Sequence, residues 1–334
     1  MYDIVIIGGG PAGLTAAVYG RRAGKSVLII EKSAFGGQIT WSPKVENFPG
    51  MVSVSGTELG DRLLEQAMEQ GAEVELDEIT AVKKLPGSGI FILSAASDTE
   101  YEARAVIFAG GAKPRLTGLP GENELIGNGV CFCAVCDGAF YAGMDVAVYG
   151  GGNSALQDAL LLSETCRKVY LIHRRAAFRG EAKLVEALQE RSNVEFILNA
   201  SITELLGSSE LNGIKVAQSA GEHTVMETGR QAAECQVTGR ESTTEQNAAF
   251  EKVISVDGLF VAIGHAPDNG IIAPLAELDA AGCAVSGEGC TTATPGLFVA
   301  GDCRTKSVRQ VTTACADGAV AALAACSYLD KGCF

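Results

Sequence analysis

Two cysteines separated by two residues, Cys133 and Cys136, are the side chains of this sequence best suited to chemistry. Their spacing lets the sulfurs close a small disulfide ring, which takes up or releases two electrons. Asp137 follows directly and can supply or accept a proton for either sulfur, although an aspartate here can also cap a helix. The pattern predicts a redox-active pair with Cys133, Cys136 and Asp137 as catalytic residues.

Zinc is the main alternative ligand for cysteines at this spacing. A zinc site needs a second pair of soft ligands, and the eleven cysteines and three histidines include no second Cys-x-x-Cys and no Cys/His cluster. No metal is therefore expected. A third thiol, Cys131, lies close by, and we interpret it and most of the other cysteines as packing residues.

A glycine-rich turn, Gly8 to Gly13, stands near the start of the chain. Tyr2 to Ile7 has the pattern of a buried parallel strand, Pro11 to Gly24 that of a helix, and Val27 to Ile30 that of a second strand. Such glycines allow a tight turn and close approach to a pyrophosphate at the helix N-terminus. Glu31 then ends the second strand, where a carboxylate can bind an adenosine ribose, so this stretch predicts a dinucleotide site.

A second glycine turn, Gly150 to Ala155, begins fourteen residues after Cys136 and repeats this layout. Asp145 to Tyr149 is predicted as the strand before it, and Leu156 to Thr165 as the helix after it. A further strand is predicted at Val169 to Ile172. The sequence therefore predicts two nucleotide-binding units.

The residue that corresponds to Glu31 in the second unit is His173, which opens a basic run. Guanidinium groups bind a 2′-phosphate through bidentate, charge-assisted hydrogen bonds, whereas an acid would repel it. The unit is therefore predicted to prefer NADP(H) to NAD(H). The alternative is a solvated surface cluster. The run consists of His173, Arg174, Arg175 and Arg179.

Two stretches, Val106 to Pro114 and Gly258 to Pro267, resemble crossings between domains. We predict an α/β fold of two Rossmann-like three-layer nucleotide-binding domains, one inserted into the other. The inserted domain is residues 117–263, and the discontinuous first domain is residues 1–116 and 264–334. The two connections would act as a paired hinge.

The last part of the chain contains a further candidate site, Gly301-Asp302, after a predicted strand. A carboxylate at the end of a strand can bind a cofactor hydroxyl, although the pair could also be a turn with an aspartate cap. Arg309 and Gln310 then lead into a predicted apolar helix that runs to about Tyr328. Residues 207–252, rich in Ser, Thr, Glu and Gly, are predicted to be a long exposed hairpin or loop without chemistry.

Composition excludes some partners. The net charge is −14 and the pI near 4.8, which argues against nucleic acid and anionic membranes. The first residues run straight into a strand pattern, with no signal peptide, and no stretch has eighteen uninterrupted apolar residues. We expect a cytoplasmic protein that uses neither nucleic acid nor membrane.

With these motifs in order, the chain resembles low-molecular-weight thioredoxin reductases over nearly its full length. The resemblance rests on Gly8-x-Gly10-x-x-Gly13, Gly36-Gly37-Gln38, Glu46-Asn47-Phe-Pro-Gly50, Cys133-x-x-Cys136-Asp137, His173-Arg-Arg175 with Arg179, and Gly301-Asp302 with Arg309-Gln310. It implies a homodimer that reduces the disulfide of a small thioredoxin-like protein, with Cys136 as the sulfur nearer the flavin. Asn153 departs from the family, which often has aspartate there.

The resemblance also implies which residues bind the cofactors. FAD is expected at Gly8, Gly10, Pro11, Ala12, Gly13, Glu31, Lys32, Gly37, Gln38, Asn47, Ala109, Gly110, Gly301, Asp302, Arg309, Gln310 and Val311. NADPH is expected at Gly150, Gly152, Asn153, Ser154, Ala155, His173, Arg174, Arg175, Arg179, Ile263 and Gly264.

The predicted electron path runs from NADPH through FAD to the Cys133–Cys136 disulfide and on to an external disulfide. Because the cysteines and the NADPH turn share one domain, that domain must rotate to present each in turn to the flavin. The alternative function is a flavin-dependent reductase or thiol oxidase that uses ferredoxin or oxygen. A redox sensor without turnover is a further hypothesis, from a different class.

Overall fold

The computed structural model of the protein describes residues 1–218 and 250–332. Its strands are β1 Tyr2–Ile7, β2 Val27–Glu31, β3 Glu73–Leu76, β4 Ile79–Lys84, β5 Phe91–Ala95, β6 Glu100–Phe108, β7 Ala112–Pro114, β8 Val130–Cys131, β9 Asp145–Gly150, β10 Lys168–Ile172, β11 Val194–Ile197, β12 Ala200–Gly207, β13 Leu211–Gln218, β14 Phe250–Ile254, β15 Gly258–Ala262, β16 His265–Pro267 and β17 Leu297–Val299. Its α-helices are α1 Pro11–Arg22, α2 Gly56–Glu69, α3 Glu122–Leu125, α4 Ala134–Asp137, α5 Asn153–Leu162, α6 Ala182–Gln189 and α7 Val311–Asp330. The chain divides into two compact units, Met1–Lys113 with His265–Phe334, and Pro114–Gly264.

The first unit is built on a seven-stranded sheet in the order β3-β2-β1-β6-β5-β4, with β17 paired to β6. β1, β2, β3, β6 and β17 are parallel, and β4 and β5 form an antiparallel edge. The apolar run of β1 is buried on both faces: Ile4 and Ile6 pack with α1 and α7, while Val5 and Ile7 face a second core.

The carboxyl ends of parallel strands meet at one edge of a sheet, which is where such sheets bind ligands. Gly8 follows β1, Glu31 ends β2, Ala109 follows β6 and Gly301 comes two residues after β17. Sheet topology alone therefore gathers four of the predicted FAD residues at one edge of the first unit.

The helix α7 is long and apolar enough, by length and composition, to cross a membrane. It packs instead along α1, and its Gly318 lies so close that an added Cβ would be 2.1 Å from the Ala12 carbonyl oxygen. Ala321, Ala322 and Ala325 are fully buried in the same core. We therefore interpret α7 as a core helix of the first unit.

The second unit contains a five-stranded parallel sheet in the order β11-β10-β9-β15-β8. Helices α5 and α6 pack on one face of it, and the antiparallel sheet β12-β13-β14 covers the other, which gives three layers. At the carboxyl edge, β9 leads into the glycine turn, β10 into His173 and β8, through Phe132, into Cys133. The cysteine pair and the second glycine turn thus lie at the same edge of one sheet.

Four strands predicted around the glycine turns are present within one residue of their predicted limits. The helix after the second turn begins at Asn153, three residues before the predicted Leu156, because Gly152 already serves as its N-cap. Residues 207–252 were predicted to be an exposed hairpin or loop, and Leu211–Gln218 is a strand that pairs antiparallel with β12, as in a hairpin. The predicted exposure was wrong here, because Leu211 and Ile214 are buried. Residues 219–249 of this stretch lie outside the described residues.

Candidate active site

The cysteine pair forms a disulfide at the start of α4, with the two Cα atoms 5.3 Å apart. Cys133 is the N-cap of this short helix, and its sulfur accepts a hydrogen bond from the Cys136 amide at 3.1 Å. Cys133, Cys136 and Asp137 are all half-buried. The predicted redox disulfide is therefore present, and Asp137 is adjacent to it in the same helical turn.

Cys131 packs behind this disulfide rather than joining it. Its sulfur lies 3.3 Å from the Tyr141 hydroxyl. Burial, reinforced by the charge of Asp137, raises the pKa of the Cys131 thiol to about 12. A thiol that stays protonated is a poor nucleophile, which supports the interpretation of Cys131 as a packing residue.

The second glycine turn packs directly against the His173 ring and the Ala262 carbonyl oxygen. A Cβ on Gly151 would lie 2.2 Å from the His173 ring, and one on Gly150 would lie 2.4 Å from the Ala262 carbonyl oxygen. His173 is only 4% exposed and stacks on Phe178 with ring centroids 5.4 Å apart. Burial lowers the pKa of His173, and the nearby arginines lower it further. His173 therefore supports the turn as a neutral, buried ring.

The arginines of the basic run are exposed beside this turn: Arg174, Arg175 and Arg179. The Arg179 amide donates to the Gly151 carbonyl oxygen at 2.8 Å, which ties the loop to the turn. A second link joins the loop to the start of α5. The Asn153 side chain donates to the Glu181 carboxylate at 3.0 Å and accepts the Glu181 amide at 2.8 Å. The structure thus brings the predicted 2′-phosphate ligands to the end of β10, next to the glycine turn. Ser154 is exposed, Ala155 is buried, and Ile263 and Gly264 follow β15.

The first glycine turn forms a cradle with no room for a side chain at Gly8 or Gly13. A Cβ on Gly13 would lie 1.9 Å from the Gly8 carbonyl oxygen, and one on Gly8 would lie 2.4 Å from the Ala109 carbonyl oxygen. Gly8 also has a φ of 108°, which favours glycine. Gly37 lies against Gly10, with 3.1 Å between its potential Cβ and the Gly10 Cα. Backbone amides at such a turn, before a helix N-terminus, can bind an anionic ligand.

Glu31, at the end of β2, accepts hydrogen bonds from nearby backbone amides. Its carboxylate accepts the Gly9 amide at 2.7 Å and the Ser33 amide at 2.9 Å. Oε1 also accepts the Ser33 hydroxyl at 3.0 Å, whereas Oε2, within the described part of the chain, accepts only the Gly9 amide and can still accept a hydrogen bond from a ribose hydroxyl. Lys32 next to it is paired with Asp268 at 3.1 Å and Glu78 at 3.4 Å.

Other predicted FAD residues converge from different elements. Gln38 donates to the Ala112 carbonyl oxygen at 3.0 Å, and Asn47 donates to the Gln310 side chain at 3.3 Å. Gly301 touches α1, since its potential Cβ would be 3.0 Å from the Ala12 Cβ. Gly110 lies beside Ala109, and Pro11 and Val311 begin the two helices α1 and α7.

Two buried polar atoms in this cradle lack a hydrogen-bond partner among the described residues: Asp302 Oδ1 and Arg309 Nε. Burial raises the pKa of Asp302, and Lys306, 3.9 Å away, opposes the shift. Buried polar groups without partners are costly, so such atoms indicate a missing ligand. An FAD with its ribityl hydroxyls and ring carbonyls supplies suitable partners, and the residues present therefore fit this cofactor.

Sequence analysis missed a buried ion cluster next to Gly301. Asp317 on α7 accepts Arg304 at 2.9 and 2.6 Å, Lys306 at 2.8 Å and the Gly301 amide at 3.1 Å. Burial raises the pKa of Asp317, but these cations lower it by more. The available signal was an acid within an alanine-rich helix, directly before the close-packed Gly318. The cluster fixes the Gly301-Asp302 turn against α7.

We predict that Asp317→Asn lowers the free energy of unfolding by about 3 kcal/mol, because it leaves Arg304 without its anion and Lys306 with only Asp302, 3.9 Å away. Urea denaturation followed by circular dichroism measures this. Asp330→Asn on the same helix is the matched control, since the Asp330 side chain is 66% exposed and its pair with Lys25 contributes little. Equal stability of the two variants would show that the cluster is not a stabilising element.

The described residues contain no group of three or more His, Cys, Asp or Glu side chains able to hold a metal ion. Six free cysteines are buried, as predicted for packing residues: Cys131, Cys166, Cys283, Cys290, Cys303 and Cys326. Cys315 is half-buried, and Cys235 and Cys333 lie outside the described residues.

Two glycine turns at parallel-sheet edges, with a disulfide beside one of them, define an α/β disulfide oxidoreductase that uses dinucleotides. The chain belongs to the pyridine nucleotide-disulphide oxidoreductase family, whose model matches residues 2–318. This family implies FAD and NADPH as cofactors, as predicted.

Individual relatives point to one branch of this family. The chain is 40% identical over 331 residues to the thioredoxin reductase of Peptoclostridium acidaminophilum, covering 99% of this chain and 98% of that protein. Its identity to the thioredoxin reductase of Bacillus subtilis is 38%, covering 99% and 96%. The solved thioredoxin reductase of Streptococcus pyogenes superposes with a TM-score of 0.84 at 33% identity, with 99% of each chain covered. The predicted resemblance and the predicted fold class are confirmed.

Proposed function

We propose that the protein is an NADPH-dependent thioredoxin reductase that passes two electrons through Cys133 and Cys136 to the disulfide of a thioredoxin-like protein. The observation that carries the proposal is the half-buried disulfide at the same sheet edge as a glycine turn flanked by exposed arginines. The family and the relatives named above support it.

We infer that the first unit holds FAD, with the glycine cradle around the pyrophosphate, Glu31 near a ribose and Asp302 near a flavin-side hydroxyl. The second unit would hold NADPH, with Gly150 to Ala155 around its pyrophosphate. The 2′-phosphate would lie between Arg174, Arg175 and Arg179, while His173 supports the turn from below. When bound, FAD would supply the two-electron chemistry that links NADPH to the Cys133–Cys136 disulfide.

The chain's own chemistry is thiol–disulfide exchange. One thiolate attacks the acceptor disulfide, whose S–S bond breaks as a mixed disulfide forms. The second thiolate then attacks the mixed disulfide, which restores Cys133–Cys136 and leaves two electrons and two protons on the acceptor thiols. The Cys136 amide would stabilise a thiolate at Cys133, so we assign the first attack to Cys133. Asp137 would take and return the proton.

Rotation of the second unit belongs to the proposal. The disulfide and the NADPH turn lie in one unit, which joins the other through only two crossings of the chain, near residues 114 and 264. Because both must approach the flavin, the unit would alternate between two arrangements. We keep the domain limits, the homodimer, the cytoplasmic location and the identity of the acceptor as predictions.

We predict that anaerobic NADPH bleaches the flavin absorbance of the holoenzyme within milliseconds to seconds, as stopped-flow spectroscopy would record. NADH should act far more slowly, and reduced ferredoxin should have no effect. Thioredoxin should then restore the absorbance. Bleaching by ferredoxin but not NADPH would favour the alternative donor, and reoxidation by oxygen but not thioredoxin would favour a thiol oxidase.

A further inference from the structure

Lys306 is a buried lysine that neither the disulfide chemistry nor the glycine turns account for. Its side chain is only 7% exposed, and lysine is almost never fully buried without a partner. Its ammonium lies 2.8 Å from Asp317 Oδ2 and 3.9 Å from Asp302 Oδ1. Lys306 therefore lies between two carboxylates, one on α7 and one that is predicted to bind FAD.

The two carboxylates differ in how many of their hydrogen bonds are made within the chain. Asp317 accepts two hydrogen bonds from Arg304 and one from the Gly301 amide. Asp302 Oδ1 is buried, and none of the described residues gives it a hydrogen bond. Lys306 is also the only cation paired with Asp302 among those residues. Because Asp317 already has a bidentate cation, the charge of Lys306 is available to Asp302.

The lysine and the backbone next to Asp302 share one acceptor. The Gly301 amide donates to Asp317 Oδ2, and Lys306 donates to the same oxygen. One carboxylate oxygen of α7 thus fixes both the backbone before Asp302 and the cation beside Asp302. This arrangement holds Asp302 Oδ1 where it can accept a hydrogen bond from a ligand, such as a cofactor hydroxyl.

The charges around Asp302 determine its protonation. Burial raises the pKa of the Asp302 carboxyl, Lys306 and then Arg309 lower it, and Asp317 raises it. Lys306 is therefore the main group that favours the anion. An anionic oxygen accepts stronger hydrogen bonds than a neutral one, so this cation favours binding of a cofactor hydroxyl. The other titratable or charged groups around this turn are Arg304, Cys290, Cys303 and His265.

We propose that Lys306 is a positioning residue for FAD: it links Asp302 to Asp317 and holds the Asp302 carboxylate ionised and in place for a cofactor hydroxyl. The inference rests on the binding of FAD by the first unit, which is part of the proposed function. A neutral side chain in place of Lys306 would leave two carboxylates near each other, so Asp302 would take up a proton at a higher pH. FAD would then be released as the pH falls through a range in which the wild type retains it.

The test measures release of FAD from the diluted full-length holoenzyme, by recovery of flavin fluorescence, from mildly acidic to mildly alkaline pH. Lys306→Met should release FAD about tenfold faster than the wild type at mildly acidic pH, and the difference should narrow toward alkaline pH. Lys306→Gln is the second neutral variant, in case the first folds poorly, and should show the same pH profile. Lys306→Arg keeps the charge and should release FAD at nearly the wild-type rate. A loss of packing alone would speed release equally at every pH.

Lys25→Met is the matched control, because it removes the same charge from the first unit at a lysine paired with Asp330. It should release FAD like the wild type. The double variant Asp302→Asn/Lys306→Met should release FAD no faster than Asp302→Asn alone, because the lysine acts through that carboxylate.

Two results would overturn the inference, given native circular dichroism of the variants. One is a release rate that the neutral Lys306 variants leave unchanged or raise equally at every pH. The other is an additive effect of the two substitutions in the double variant, since Lys306 would then act independently of Asp302. If instead the wild-type protein binds no FAD, the proposed function fails, and the inference fails with it.

Discussion

Cys136→Ser is expected to abolish reduction of a thioredoxin-like acceptor, with turnover falling by about 10³-fold or more. A serine hydroxyl cannot form the disulfide that must be restored at the end of each cycle. NADPH should still bleach the flavin absorbance, because the cofactor cradle and the arginines lie outside the substitution. The two readouts, stopped-flow flavin absorbance and acceptor thiols released, thus separate the two halves of the path.

Cys131→Ser is the matched control, since it removes the neighbouring thiol that contacts Tyr141 and leaves the pair intact. Turnover should stay within about twofold of the wild type if Cys131 only packs. Loss of activity in Cys131→Ser comparable with that in Cys136→Ser would instead place the third thiol in the electron path.

The parts of this fold that follow from short-range pattern are the parts predicted correctly. The residues Ile4 to Ile7 are apolar at four consecutive positions, which is typical of a parallel strand buried on both faces, and β1 spans Tyr2–Ile7 as predicted. Once the parallel strands are known, the glycine turns must meet the sheet edge at their carboxyl ends. The positions of Gly8, Glu31 and Gly150 at the sheet edges could therefore be predicted from the sequence.

Residues whose role depends on a partner distant in the sequence could not be predicted. Asp317 has the pattern of an ordinary polar residue in a helix, and only the packing of α7 against the Gly301 turn makes it a buried carboxylate. His173 is the opposite case: it heads a basic run, yet its ring turns inward because Gly151 has no side chain to exclude it. The burial of Leu211 and Ile214 could not be predicted, because they pack in a core built from elements distant along the chain.

The double variant Arg174→Ala/Arg175→Ala is expected to lose most of its preference for NADPH over NADH. Hydrogen bonds to a charged group contribute about 1.5–3 kcal/mol each, so losing two of them should weaken NADP⁺ binding by about 100-fold or more. NAD⁺ has no 2′-phosphate, and its affinity should stay nearly constant. Isothermal titration calorimetry with both nucleotides measures this difference without depending on catalysis.

A control must exclude net charge as the cause of the weaker NADP⁺ binding. The double variant makes an already acidic protein more negative by two charges. Arg167→Ala/Arg191→Ala removes the same charge from the second unit at side chains paired with Asp145 and Glu164. This control should bind NADP⁺ nearly as the wild type does, apart from a small, salt-sensitive change. If both double variants lose NADP⁺ affinity equally, the basic run is a solvated cluster, and the 2′-phosphate must be bound elsewhere.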